Sequence, residues 1–252
     1  MWALPAFGLL LIAALWTATW LQLQATERAL IGSETHNVEN IVASFERSTL
    51  RTIKEADRVT RLVKHEFEQY GKLDLASLVR MGQLGDGSMV VVTVADAQGD
   101  VIARSQPSAP FNVVDREYFR LHAKSDSARL DISKPVVSRV SGQPMIVLSR
   151  RMNHSDGSFA GVAWVVVNPG YFVQFYDDSD LGQRGSLGFL GLDGVFRARR
   201  VGGATTSVSD GSEAELLALA ETQPIGHYDE RSHMDHVRRI VWATPFGLKI
   251  PT

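Results

Sequence analysis

The first 26 residues carry no charge, and Trp2 to Leu23 are dominated by Leu, Ala, Ile, Phe and Trp. Roughly 20 consecutive apolar residues in a helix match the thickness of a bilayer core, so residues 1–23 are read as a transmembrane anchor. Trp2, Trp16 and Trp20 stand toward its ends, where indole rings prefer the membrane interface. A cleaved signal peptide would need a basic leading segment and a small-x-small exit, and neither is evident. No Lys or Arg precedes the run, so charge alone does not orient it. The rest of the chain is expected to fold tethered to a membrane.

Residues 24–85 continue the helical pattern. No proline occurs between Gln24 and Tyr70, and apolar residues return at steps of three and four: Val38, Ile41, Val42, Phe45, then Ile53, Ala56, Val59, Val63 and Phe67. That spacing predicts an amphipathic stalk helix of roughly 50–70 Å. Gly32-Ser33 would kink or restart it. Lys54 to Lys64 reads as a mixed-charge helix face, and Asp74 is placed to cap a short helix over Leu75 to Met81.

The period then changes. Met89 to Val94 and Val101 to Arg104 flank a turn built on Asp96, Gly99 and Asp100, a hairpin signal. Tyr118 to Lys124 starts a helix. Ile132 to Arg151 reads as two strands around a tight turn at Ser141-Gly142. Asp156-Gly157 leads into Phe159 to Val167, a run too apolar to keep a solvent face and therefore a central strand. Pro169 closes it, and Gly170 to Tyr176 is a short helix or turn. A second series follows: a hairpin of Ser186 to Leu192 and Val195 to Arg199, a helix at Glu213 to Glu221, and a strand pair of Arg238 to Ala243 with Leu248 to Ile250. The predicted class is α+β, with central antiparallel sheets behind an N-terminal anchor and stalk.

Composition narrows the function. With 252 residues, 44% of them hydrophobic, the chain can build a core for one or two domains. A net charge of -2 gives no electrostatic footprint for nucleic acid. Cysteine is absent, which excludes disulfides and thiolate metal sites. His227, His233 and His236 lie among Asp229, Glu230 and Asp235, but their spacing fits no zinc arrangement, so a polar loop is expected. Asp177, Asp178 and Asp180 lack the grammar of a calcium loop. Ser125-Asp126-Ser127 near His122 lacks a nucleophile elbow. Arg197, Arg199 and Arg200 read as solvated. No catalytic residue, metal or cofactor is expected.

The binding chemistry gathers between Asp115 and Arg151. DREYF (Asp115 to Phe119) places a cation and two aromatic rings, with His122 three residues on, just ahead of the paired strands. Pairing across Ser141-Gly142 puts Val136, Ser138, Val140, Met145, Val147, Ser149 and Arg151 on one face. Arg139, Ile146, Leu148 and Arg150 fall on the other, where the two arginines read as solvated or salt-bridged at a strand edge. Arg, Tyr and Ser beside apolar positions suit a pocket for a small anion. An inward Arg is costly unless paired, so Arg151 implies either a fixed acidic partner or an incoming anion.

With these elements in this order, residues from about 24 to 252 resemble the extracytoplasmic double Cache (tandem PAS-like) sensor region of bacterial signalling proteins. The likeness rests on the anchor with its long helix and on DREYF, which is similar to that family's Arg-x-Trp/Tyr-Tyr/Phe element. It rests also on ISKPVVSRVSG and DGSFAGV (Asp156 to Val162), each leading into a strand. The LSRR and SGQP wording is most similar to sensors ahead of GGDEF diguanylate cyclase domains. The resemblance implies a membrane-distal Cache domain at 86–183 and an incomplete membrane-proximal one at 184–252. It also implies a homodimer in the inner membrane, with the sensor in the periplasm and an output domain beyond Thr252. The chain is then a fragment of a longer receptor or a truncated gene product.

Amino-acid-binding members of that family carry a Tyr and acidic residues where this chain has Val136, Ser138 and Val166, so no carboxylate remains to hold an ammonium group. Phe111 keeps a family ring without its hydroxyl. What survives is the carboxylate-holding end, Arg116, Tyr118 and Phe119. With His122, Ser138, Ser149 and Arg151 these make the expected ligand site, and the expected ligand is a small organic anion. The alternative is a structural or dimerisation module with no small ligand; a hydrolase would lack its nucleophile. A buried polar pocket under DREYF favours the sensor, and one filled by Phe119, Phe111 and Met145 favours the structural role.

Overall fold

A computed structural model of the chain describes residues 3–71, 73–84, 91–176, 185–202, 204–206, 217–218, 226–231 and 238–243. Side chains are described at 14–24, 37–71, 73–84, 91–176, 185–202 and 217–218. There are two compact units, residues 1–44 and 45–252. Helix α1 spans Ala3–Tyr70 and is not interrupted at Gly32-Ser33, where a kink or restart was expected. Among the described residues no helix is long and apolar enough to cross a membrane. The side chains of 1–13, more than half of the expected anchor, lie outside that description.

In the second unit the apolar stripe of α1 is buried where its spacing predicts: Phe45, Ile53, Ala56, Val59 and Val63 are all at most 3% exposed. Thr60 shares that stripe, and its hydroxyl donates to Ala56 O one turn back (2.9 Å), so its burial leaves no polar atom stranded. Helix α2, Leu75–Arg80, begins at Asp74, whose carboxylate accepts from Ser77 N (2.9 Å).

The main sheet has six antiparallel strands: β1 Val91–Asp96, β2 Val101–Arg104, β3 Asp131–Ile132, β4 Val136–Val137, β5 Pro144–Asn153 and β6 Phe159–Val167. Their order is β2-β1-β6-β5-β3, with β4 also paired to β5. The apolar run of β6 lies between β1 and β5, as a strand without a solvent face must. Side-chain alternation along β5 divides the unit into two layers. Met145 and Val147 pack with Tyr118 and Phe119 of helix α3, Glu117–Lys124. On the opposite face Arg150 ion-pairs with Asp57 of α1. At the end of β5, Glu68 accepts from Asn153 N (2.7 Å), and Lys64 donates to Arg151 O (3.0 Å). One glycine is required by packing: Gly161 in β6 has φ +142°, and a Cβ there would lie 2.0 Å from Ala95 O of β1.

The turn before β5 is wider than two residues. Ser138 N donates to Gln143 O and Gly142 N to Ser138 O, both at 2.9 Å, and Val136 faces Met145 rather than Val147. The strand expected to enter this turn is broken into β3 and β4, with Pro135, which cannot donate a backbone hydrogen bond, between them. The register differs from expectation by two residues. Because side chains alternate with a period of two, the predicted faces survive that slip.

Helix α4, Pro169–Val173, starts at Asn168, whose side chain accepts from Gly170 N (2.8 Å). A three-stranded sheet follows, β7 Ser186–Leu190, β8 Phe196–Val201 and β9 Ala204–Thr206. Arg197 and Arg199 in β8 are buried, not solvated. Arg197 forks onto both oxygens of Asp193 (2.9 and 3.0 Å). Arg199 donates to Ser186 Oγ (3.1 Å) and lies over the Phe196 ring. Local partners thus replace water. Strand β10, Gly226–Arg231, pairs with β11, Arg238–Ala243. His227, Asp229 and Glu230 therefore belong to a strand rather than a polar loop, because the apolar β11 offers them a backbone ladder. The expected partner of β11 at 248–250 lies outside the described residues, as do His233, Asp235, His236, Asp177, Asp178 and Asp180, and the 213–221 helix except 217–218.

Candidate ligand-binding site

On the α3 face of the main sheet, the DREYF segment, the 138–143 turn and β2 enclose a cleft of about 340 Å³, counting its open mouth. Its inner part is narrow, with space for little more than a water molecule. The floor is Thr93 from β1, Trp164 and Val166 from β6, and Met145 from β5; Phe111, Val113 and Val140 form apolar walls. The polar lining is Arg104, Arg116, Arg139, Tyr118 and Ser138.

The three guanidinium groups differ in how well they are satisfied. Arg139 is ion-paired with Asp115 (2.5 Å) and also donates to Asn112 O; the same contact holds the Asp115 carboxyl below the usual carboxylate range. Arg116, the residue just before α3, donates from Nη2 to Val137 O (3.0 Å). Its Nε is buried with no partner among the described residues. Arg104 stands on β2 opposite Thr93; its Nε is buried and equally unpartnered, and burial pushes its pKa down.

Tyr118 is buried with its ring against Trp164, 5.6 Å between centroids. Burial pushes its pKa up to about 12, although the nearby Arg116 and Arg139 charges pull the other way. The phenol therefore keeps its proton at neutral pH and can donate. Ser138 accepts from Val140 N (3.2 Å) and Ser141 N (3.1 Å), so it holds the turn as well as lining the cleft.

The other four expected site residues gather in a buried cluster beside the cleft. The Phe119 ring meets Phe159 edge-on at 5.5 Å. His122 Nε2 lies 3.0 Å from Ser149 Oγ, and burial is the main cause that lowers its pKa to about 4. Arg151 donates to His122 O (2.6 Å) and Asn153 Oδ1 (2.7 Å). It also stands 3.4 Å from Asp126 and over the Phe159 ring. Of the two possibilities for an inward Arg151, the chain itself supplies the partner. The cleft thus unites Arg116, Tyr118 and Ser138, while Phe119, His122, Ser149 and Arg151 stand behind them. Phe111 and Met145 line it, but Phe119 does not fill it.

Sequence reasoning passed over Arg104 and Arg139 as cleft residues. Arg139 was assigned to the opposite strand face; the wider turn carries it off the strand and lets it swing to Asp115. The available signal for Arg104 was a lone cation ending the VIAR strand, but only folding brings that strand beside DREYF.

The α+β fold with its antiparallel sheet matches that of extracellular sensor domains among solved structures. The extracellular domain of rpHK1S-Z16, assigned as a histidine kinase, is 28% identical with a TM-score of 0.67, covering 80% of this chain and 84% of that one. An extracellular ligand-binding receptor from Desulfohalobium retbaense is 16% identical with a TM-score of 0.54; the match covers 75% of this chain and 35% of the receptor. No family model and no curated protein matches the sequence.

Proposed function

We propose that this chain is the extracytoplasmic sensory region of a membrane signalling protein and binds a small carboxylate-like anion in the cleft. The observation that carries this reading is the pair of partly buried guanidinium groups, Arg104 and Arg116, that line the cleft with Nε atoms lacking a hydrogen-bond partner among the described residues. Such groups are poorly solvated and gain most from an anion that accepts from their planar forks. Residues 1–23 serve as the anchor in the inner membrane and 24–85 as the helical stalk. Residues 86–183 and 184–252 form the membrane-distal and membrane-proximal Cache domains, in the periplasm. The output domain is a diguanylate cyclase, in keeping with the LSRR and SGQP wording; the histidine-kinase neighbour is the observation favouring a kinase instead.

Signalling follows from the connections around β5. An anion entering at Arg116 draws the DREYF segment and the 138–143 turn together. The end of α3 is tied to β5 through Arg151 and His122 O, and β5 is tied to α1 through Arg150–Asp57 and Asn153–Glu68. Ligand then favours one of two placements of α1 on the sheet, a population shift.

Thermal-shift measurements on the full chain in detergent, with organic acids paired against the matching amino acids, test the ligand class. An ammonium would meet Val113, Val140 and Val166 with no carboxylate in the lining, a loss of about 1–3 kcal/mol or more. The acids should stabilise and the amino acids should not, and Arg116→Ala should abolish the effect while Arg129→Ala keeps it. Stabilisation by amino acids alone would sink the assignment. A helix at 38–67 with apolar residues left over for a second copy should also dimerise the chain. Sedimentation equilibrium in density-matched detergent should return a dimer, and a strict monomer at high concentration would count against it.

A further inference from the structure

We infer that the cleft takes a dianion, an apolar body with an acidic group at each end, one held by Arg104 and the other by Arg116. This rests on the anion-sensor reading and sharpens it. Three guanidinium groups line the cleft, and Asp115 neutralises one of them, Arg139. That leaves Arg104 and Arg116 without an ion pair among the described residues. A monoanion would satisfy one and leave the other partly buried and unpaired, a costly arrangement. A dianion compensates both.

The fold sets the two cations apart along the sheet. Arg104 belongs to β2, the edge strand beside β1. The Arg116 guanidinium is fixed over β4 by its bond to Val137 O, and β4 pairs with β5 on the other side of β6. The floor between them is Trp164, Val166 and Met145, which offers apolar contact and no second set of strong donors. Anchors at two ends of an apolar floor match a molecule that is charged at both ends and apolar between. Tyr118, a protonated phenol beside Arg116, adds a donor at that end. The two-ended grip couples the ligand to the movement of the DREYF segment against the 138–143 turn.

Isothermal titration of the full chain in detergent with succinate, glutarate, adipate and terephthalate, each against the monoacid of the same skeleton, tests this. At least one diacid should bind about tenfold or more tightly than its monoacid. Arg104→Gln should weaken the diacid and bring that pair within about threefold, and Arg116→Gln should weaken both. Should Arg104→Gln not fold, Arg104→Lys keeps the charge but loses the fork, and is expected to narrow the preference for the diacid. Monoacids bound as tightly as diacids, or a diacid preference that survives loss of Arg104, would overturn the dianion and leave the anion sensor standing. Binding by neither set would overturn both.

Discussion

Truncating Asp57 to Ala is expected to destabilise the fold by about 3–5 kcal/mol, the range for stranding one member of a buried ion pair. Its partner Arg150 has a side chain only 4% exposed, donates also to Ala128 O and has an Nε with no partner. Burial lowers the Arg150 pKa and the Asp57 charge opposes that shift, so the carboxylate is what makes a cation tolerable against α1. Removing the cation is a different experiment. Arg150→Met keeps an unbranched chain of similar length, leaves Asp57 with Arg61 (2.9 Å), and should cost far less, because apolar replacement of a buried charge is often near neutral. Urea unfolding of both variants measures the contrast. Equal losses would mean that the attraction itself, rather than the desolvation of Arg150, dominates. This pair joins β5 to α1 on the face of the sheet opposite the cleft, so Arg150→Met should leave the cleft able to bind.

The second large effect is a pH dependence centred on His122. The unfolded chain takes up a proton near pH 6.5, whereas in the folded state burial, with Arg150, Arg151 and Lys64 nearby, outweighs the opposing hydrogen bond from Ser149 and defers protonation to about pH 4. Between those values the unfolded state binds more protons. The stability present above pH 6.5 is therefore lost progressively as pH falls toward 4, by on the order of 3 kcal/mol from this residue. His122→Gln keeps a polar group opposite Ser149 but cannot titrate, so its unfolding free energy should decline much less over that interval. Parallel slopes for the two proteins would rule out His122 as the source. This titration lies behind the cleft, so it acts on the support of α3 rather than on ligand contacts.

Much of the layout was legible in local pattern. The three-and-four spacing from Phe45 to Val63 became the buried stripe of α1, Asp74 capped α2, and the unbroken apolar run from Phe159 to Val167 became the inner strand β6. Strand faces were legible too: Val147, Ser149 and Arg151 share one side although the hairpin slipped by two residues, because a slip of two restores the alternation. DREYF was read as a ligand-site segment ahead of the paired strands, and its two rings pack on the sheet. The HYDER segment was misread, since its polar composition resembles a loop and only pairing with Arg238–Ala243 makes it a strand.

What the sequence by itself determined is what repeats along the chain: helix against strand, buried face against exposed face, and which stretch carries cation, phenol and turn. Tertiary structure decided which of those cations are free. Asp115 reaches Arg139 across 24 positions, His122 O takes Arg151 across 29, and Asp57 takes Arg150 across 93. Arg104 finds no such partner among the described residues. A guanidinium looks the same in every sequence context, and its charge is compensated by whatever carboxylate or carbonyl the fold brings within a few ångströms. Periodicity carries no information about that distance, so Arg151, expected at the ligand site, is bound by the chain's own groups, while Arg104, to which the pattern gave no role, lines the cleft.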